Sequence, residues 1–199
     1  MGLPSGTLWA TCNVGASKPS DYGQYFQWGD TIGYEAEQVG TGEGQKKFAS
    51  DWSDYKWRLS GDSWQNIAFT KYATTGATLE LEDDAAHAHM GGSWHIPTPT
   101  QFQELLNTAY TKNEWTTQDG VNGRLFTSKK NPSKSIFIPA AGSAYDGSVP
   151  DSGDVGNVWS SMLSMNSADG GQYLNFYSGN AGLGNDGRYD GFSVRGVIG

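Results

Sequence analysis

The chain has 199 residues, a net charge of −8, 28 glycines, a single cysteine, and eight tryptophans, ten tyrosines and eight phenylalanines. Such a length fits one domain, and a 17 % charged fraction with this much glycine describes a loop-rich β protein, not a helical bundle. The acidic balance leaves no basic stripe to displace counterions from phosphates, which excludes a nucleic-acid partner, and Cys12 alone excludes an intrachain disulfide.

Residues 6–16, GTLWATCNVGA, alternate and read as a strand bounded by Pro4 and Gly15, with Cys12 as a buried structural thiol. Residues 22–30, YGQYFQWGD, read as a second, aromatic strand after the turn at Lys18-Pro19-Ser20-Asp21. From 31 to 50 there is no strong period, and Gly40, Gly42 and Gly44 mark a loop. Trp52, Tyr55, Trp57 and Trp64 then form an aromatic segment, read as a satellite core under a long connection in preference to a sugar-stacking platform.

Two helices follow. LELEDDAAHAHMGG, 79–92, has carboxylates at its start and Gly91-Gly92 at its end, as the helix dipole and a C-cap favour. TPTQFQELLNTAY, 98–110, opens with Thr98 as N-cap, Pro99 at the first helical position and Gln101 closing a capping box. Phe102, Leu105, Leu106 and Ala109 give it one apolar stripe. Beyond Asn113 the pattern is β. NEWTTQDGVNGRLFTS offers two strands about an Asp119-Gly120 turn, and KSIFIPAAG a short strand ended by Pro139. GNVWSSML, QYLNFYSG and GFSVRGVI complete the series, giving an α+β architecture.

Candidate chemistry is sparse. His87 and His89 are two apart and do not share a helix face, and neither a cysteine nor a His-x₃-His pair joins them or His95, so no zinc site is expected. Glu80, Glu82, Asp83 and Asp84 lack the glycine turn of a calcium loop, and a helix N-terminus accounts for them. No nucleophile elbow or phosphate-binding loop occurs, and no carboxylate pair selects itself for hydrolysis. The expectation is a protein without catalytic residues, metal or cofactor. No signal peptide and no apolar run long enough to span a membrane are present, so no direct membrane insertion is expected.

The C-terminal quarter differs. Alternation in QYLNFYSG sends Leu174 and Phe176 to one face and Tyr173, Asn175 and Tyr177 to the other. Sixteen of the 27 residues from Ser164 to Asp190 are Ser, Gly, Asn or Tyr, the composition of antibody-like binding surfaces. The irregular stretch from 178 runs into the apolar 192–198 segment, FSVRGVI, so it reads as a loop held at both ends by a sheet.

GLPSGTLWATCNVGASKPSDYGQYFQWGDT, LELEDDAAHAHMGGSWHIPTPTQFQELL, VWSSML and GFSVRGV together resemble, nearly end to end, a Bacteroidales-type group of C-type lectin fold proteins. That group is related to the fibrobacter-succinogenes-major-paralogous domain and includes variable proteins of diversity-generating retroelements. In these a reverse transcriptase copies a template while mutating adenines, so that Asn codons diversify on a constant scaffold. The resemblance implies a single C-type lectin-like domain over 1–199, of the formylglycine-generating-enzyme-like variant, with two helices, short antiparallel strands and paired termini. Residues 151–199 would be its variable ligand-binding region. The constant frame would include Trp159, Ser160, Ser161, Leu163, Leu174, Phe176, Ser178, Gly179, Arg188, Gly191, Phe192, Ser193, Val194 and Arg195. The ligand-binding, diversified positions would be Asn157, Met162, Ser164, Asn166, Tyr173, Asn175, Tyr177, Asn180, Ala181, Leu183, Asn185, Asp186, Tyr189 and Asp190. Gly196 stands where the group usually has proline after SVR.

The implied function is that of a receptor- or adhesin-type module binding a protein or glycan on a cell or phage-host surface, carried on a cell surface or a phage particle. Two alternatives remain. One is a calcium-dependent lectin, although Ser160-Ser161 follow Trp159 where such lectins carry Asn-Asp. The other is a pilus or surface assembly component. Related formylglycine-generating enzymes need active-site cysteines, which Cys12 alone does not supply.

Overall fold

Helix is confined to two short segments in the computed structural model, which describes residues 1–199. The first, α1 (Ala85–Met90), begins later than its sequence suggests. Glu80, Glu82 and Asp83 lie outside it, the last two in a 3₁₀ turn, and only Asp84 caps it, accepting from the His87 N–H at 2.9 Å. Gly91 ends it at φ 69°, a conformation that costs glycine little. The second, α2 (Pro99–Leu106), carries the expected capping box: Thr98 Oγ1 accepts from the Gln101 N–H at 3.2 Å, and Gln101 Oε1 accepts from the Thr98 N–H at 2.8 Å. Phe102 and Leu105 are buried, whereas Ala109 lies past the helix end and is exposed.

The other main regular elements are β-strands, in four antiparallel sheets. β1 (Leu8–Trp9) pairs with β10 (Val197–Ile198), so the two ends of the chain are neighbours. β2 (Arg58–Ser60) pairs with β3 (Ala68–Phe69). β4 (Thr111–Gln118) and β5 (Val121–Ser128) form the expected hairpin, with Asp119 at φ 50° and Gly120 at φ 83° at its tip, and β6 (Ser135–Pro139) extends it. β7 (Val155–Leu163), β8 (Gly170–Tyr177) and β9 (Ala181–Gly187) make the last sheet.

Five further sequence expectations change. Only Leu8 and Trp9 of the 6–16 segment are strand, and 22–30 contributes two single bridges, Tyr25 to Tyr34 and Phe26 to Phe192. Residues 181–187, expected as loop, are strand β9. Residues 191–198 do not form one strand; they bond in turn to several partners, Gly191 to Ala144, Phe192 to Phe26, Ser193 to Val158 and Val197 to both Trp9 and His95. The terminal segment therefore runs through the middle of the molecule. A half-exposed Cys12 replaces the expected buried thiol.

The main core lies between α2 and the two larger sheets, where Phe102 and Leu105 meet Trp9, Phe126, Ile138, Leu174 and Phe176. A second core sits beside α1 around Trp28, Trp159, Phe192 and Val194. Its two indoles cross-link distant segments: Trp159 donates to the Phe26 carbonyl at 2.7 Å and Trp28 to the Ser160 carbonyl at 2.9 Å. Trp52, Tyr55, Trp57 and Phe69 form the satellite core expected of the aromatic segment, but Trp64 is 73 % exposed. No helix is long and apolar enough to cross a membrane.

Candidate functional site

Strand alternation fixes what the β7–β8–β9 sheet offers on each side. Leu174 faces Leu183 across the strands, and Phe176 faces Ala181. All four lie on the side packed with α2, since Ala181 and Leu183 rest on the main core. These two expected display positions are thus corrected: they face the core. On the other side, Asn157 pairs with Asn175, Trp159 with Tyr173, and Val155 with Tyr177. The β9 partners on that side are Gly182 and Gly184, which leave the β8 side chains uncovered.

A groove of about 500 Å³ opens over this bare strip. Its floor is Asn157, Tyr173, Asn175 and Phe192; Asp186, Tyr189 and Asp190 line it where the chain leaves β9; and a wall comes from Ser143, Tyr145, Pro150 and Asp151. The wall is a built feature. Tyr145 and Ser148 close a two-residue hairpin around Asp146 at φ 43° and Gly147 at φ 80°, the Asp-Gly pattern of a tight turn. Asp146 then accepts from the Ser50 N–H at 3.1 Å and from its hydroxyl at 2.9 Å, and the Gly147 N–H donates to the Lys47 carbonyl at 2.7 Å. The Tyr189–Asp190 corner is tied as firmly. Gln27 donates to the Tyr189 carbonyl at 3.0 Å, Trp28 N–H to the Arg188 carbonyl at 3.0 Å, and the Tyr189 ring meets Trp52 edge-on at 4.7 Å.

Six of the fourteen expected positions converge here: Asn157, Tyr173, Asn175, Asp186, Tyr189 and Asp190. Asn157 is buried yet reaches the groove, accepting from Asn175 Nδ2 at 2.8 Å. Tyr177, 44 % exposed, and Asn180 sit at the far end of the sheet, where Arg124 donates to both of their carbonyls. At the opposite end, Ser164, Asn185 and Asp186 border a smaller hollow, with Met162 half-buried and Asn166 exposed nearby. Ser164 itself is buried, contrary to a display role. The wall residues Tyr145 and Asp151 escape the sequence reading. The run YDGSVPDSGD that carries them signals only turns, and nothing local says which strand those turns overlook.

The groove is electrostatically negative. Burial first, and then the neighbouring carboxyls of Asp186 and Asp146, push the Asp190 carboxyl up to about 9. Burial raises Tyr173 to about 12, with Asp186 and Asp190 adding to it, and raises Tyr189 with Asp190 as the next contributor. Asp190 is therefore a neutral acid at neutral pH. The nearby Arg188 points the other way, buried under Phe69 and donating to Tyr55 Oη at 2.7 Å and to the carbonyls of Tyr72 and Ala168.

Elsewhere, Glu80, Glu82 and Asp83 bring carboxylate oxygens within 4.8 Å of one another. Lys71 Nζ occupies their centre, at 2.6, 2.9 and 2.5 Å from the three, and supplies the positive charge the trio needs. The histidines are engaged separately, His89 with the Thr31 carbonyl and His95 with the carbonyls of Ile96 and Gly199. Comparison with protein-family models, curated proteins and solved structures finds no match for this chain.

Proposed function

We propose that the chain is a non-enzymatic ligand-binding module of C-type lectin fold, whose C-terminal face is diversified by a retroelement and recognises a protein or glycan on another surface. The observation that carries this reading is the groove over β7–β8–β9, which six of the expected contact positions line together. Pairing of β1 with β10 supports the fold assignment, because it clamps the chain behind the display sheet. Tyrosine rings supply contact area at low entropy cost, and Asn157 and Asn175 supply adaptable hydrogen bonding.

A binding role also suits the two groove carboxyls. Together they line the groove beside Tyr189, where carboxyl oxygens can meet the N–H and O–H donors of a ligand. The test is sequencing of the locus across a population. Substitutions concentrated at Asn157, Tyr173, Asn175, Asp186 and Tyr189, with Trp159, Leu174 and Phe176 unchanged, are expected. An even scatter over residues 1–199 overturns the reading.

A further inference from the structure

The groove contains three acidic side chains, Asp151, Asp186 and Asp190, three tyrosines, Tyr145, Tyr173 and Tyr189, and no lysine, arginine or histidine. Asp190 is only 5 % exposed and has no ion-pair partner. A buried carboxyl facing a cavity without a counter-ion is costly to ionise, and it stays neutral until a positive charge arrives. The surroundings leave that position open. Asp146, the other carboxyl acting on Asp190, is engaged by Lys47 at 3.7 Å and by Ser50, and Arg188 is turned into the core.

We propose that this groove takes a cationic side chain, a lysine or arginine of a protein partner, between its tyrosine rings and against the carboxyls of Asp186 and Asp190. The inference rests on the groove being the ligand surface. Aromatic faces attract a desolvated cation through the ring quadrupole, and the acid pair accepts its N–H donors. Neutral sugars also stack on tyrosine, but they leave the acidic excess uncompensated. Anionic sugars are repelled by it. Entry of the cation favours ionisation of Asp190, so its proton leaves to solvent as the ion pair forms.

The test is a titration of the isotope-labelled full chain, followed by amide resonances. The probes are Nα-acetyl-argininamide, Nα-acetyl-lysinamide, the neutral isostere Nα-acetyl-citrullinamide, and lactose. The cations are expected to shift the amides of Tyr145, Asn175, Asp186 and Asp190, with citrulline at least about tenfold weaker. Binding heats of the arginine probe at about pH 7 should differ between buffers of different ionisation enthalpy, reporting proton release. Asp190→Asn is uncharged and nearly isosteric with the neutral acid and should fold normally, yet lose about tenfold or more in cation affinity; Asp186→Asn gives a second reading of the same loss. Equal binding of arginine and citrulline overturns the proposal, as does unchanged affinity in both variants. A groove that answers lactose and not the cations overturns it while leaving the groove a binding surface. Cation shifts confined to other amides remove both.

Discussion

The indole of Trp159 stacks on the ring of Phe192, with centroids 4.2 Å apart and planes 29° apart. Trp159 belongs to β7 and Phe192 to the terminal segment, and Tyr173 leans on both, at 6.0 and 4.8 Å. The groove floor is thus the upper surface of the second core. Phe192→Ala is expected to cost about 3–5 kcal/mol, the range for emptying a buried aromatic site, with Phe192→Leu costing less than half of that. Denaturant midpoints of the two variants measure it. A cost under about 1 kcal/mol for the alanine change would show that Phe192 does not support the floor.

Asp190 gives a pH signature. Its carboxyl titrates from an ordinary value of 3.8 when unfolded and about 9 when folded, raised first by burial and then by Asp186. Between those values the folded chain holds a proton that the unfolded chain has lost, so stability falls as pH rises. The contribution is complete below about pH 4 and gone above about pH 9. Asp190→Asn cannot ionise and escapes the loss. Its stability should match the parent near about pH 4 and exceed it by about 1–3 kcal/mol at about pH 8, after allowance for relaxation and water entry. Urea unfolding at the two pH values checks this; a difference that does not grow with pH refutes it.

Arg195 is fully buried without a carboxylate. It donates to Asn13 Oδ1 at 2.9 Å, the Ala10 carbonyl at 3.0 Å and the Phe137 carbonyl at 2.9 Å, tying the terminal segment to the stretch that follows β1 and to β6. Burial lowers its guanidinium to about 10. A lysine ammonium cannot reproduce the planar fork that meets three separated acceptors. Arg195→Lys should therefore cost about 3 kcal/mol or more, because buried acceptors lose partners while a charge remains. Thermal unfolding of this variant at neutral pH reports it, and a shift within experimental scatter would mean water serves those acceptors equally well.

What was legible in the sequence had a local cause. Thr98, Pro99 and Gln101 specify the start of α2 within four residues, and Asp119-Gly120 specifies the β4–β5 turn. The inward pair Leu174 and Phe176 follows from period two. β9 was not legible, because Gly182, Gly184 and Gly187 are poor strand formers. It forms because β8 offers it an edge and the core offers Ala181 and Leu183 a place to rest. The groove wall was equally hidden. Tyr145 comes to Tyr189, 6.2 Å between centroids, through contacts distant in sequence: the backbone pairing of Ala144 with Gly191 and the tie of Asp146 to Ser50, 96 residues apart. The acidic run at 80–83 misled in the opposite sense, its charges being spent on Lys71 instead of on the helix start.

The same two-sidedness of β9 predicts which positions of the terminal region tolerate change. A Cβ added to Gly182 meets nothing within 4 Å, whereas one added to Gly184 falls 2.9 Å from the Tyr173 ring. Gly182→Ala should stay within about 0.5 kcal/mol of the parent or improve on it, since it also restricts the unfolded chain. Gly184→Ala must displace Tyr173 and should alter the groove before it alters the fold: the fluorescence and amide resonances around Trp159 change while the unfolding midpoint moves little. Leu183→Asp behaves in the reverse way, placing a charge against the main core at a cost of about 3 kcal/mol or more. If a surface-displayed library accepts polar residues at Leu183 as readily as at Asn185 or Asp186, the inward assignment of β9 is wrong. With it would fall the prediction that one side of this sheet accepts substitution and the other does not.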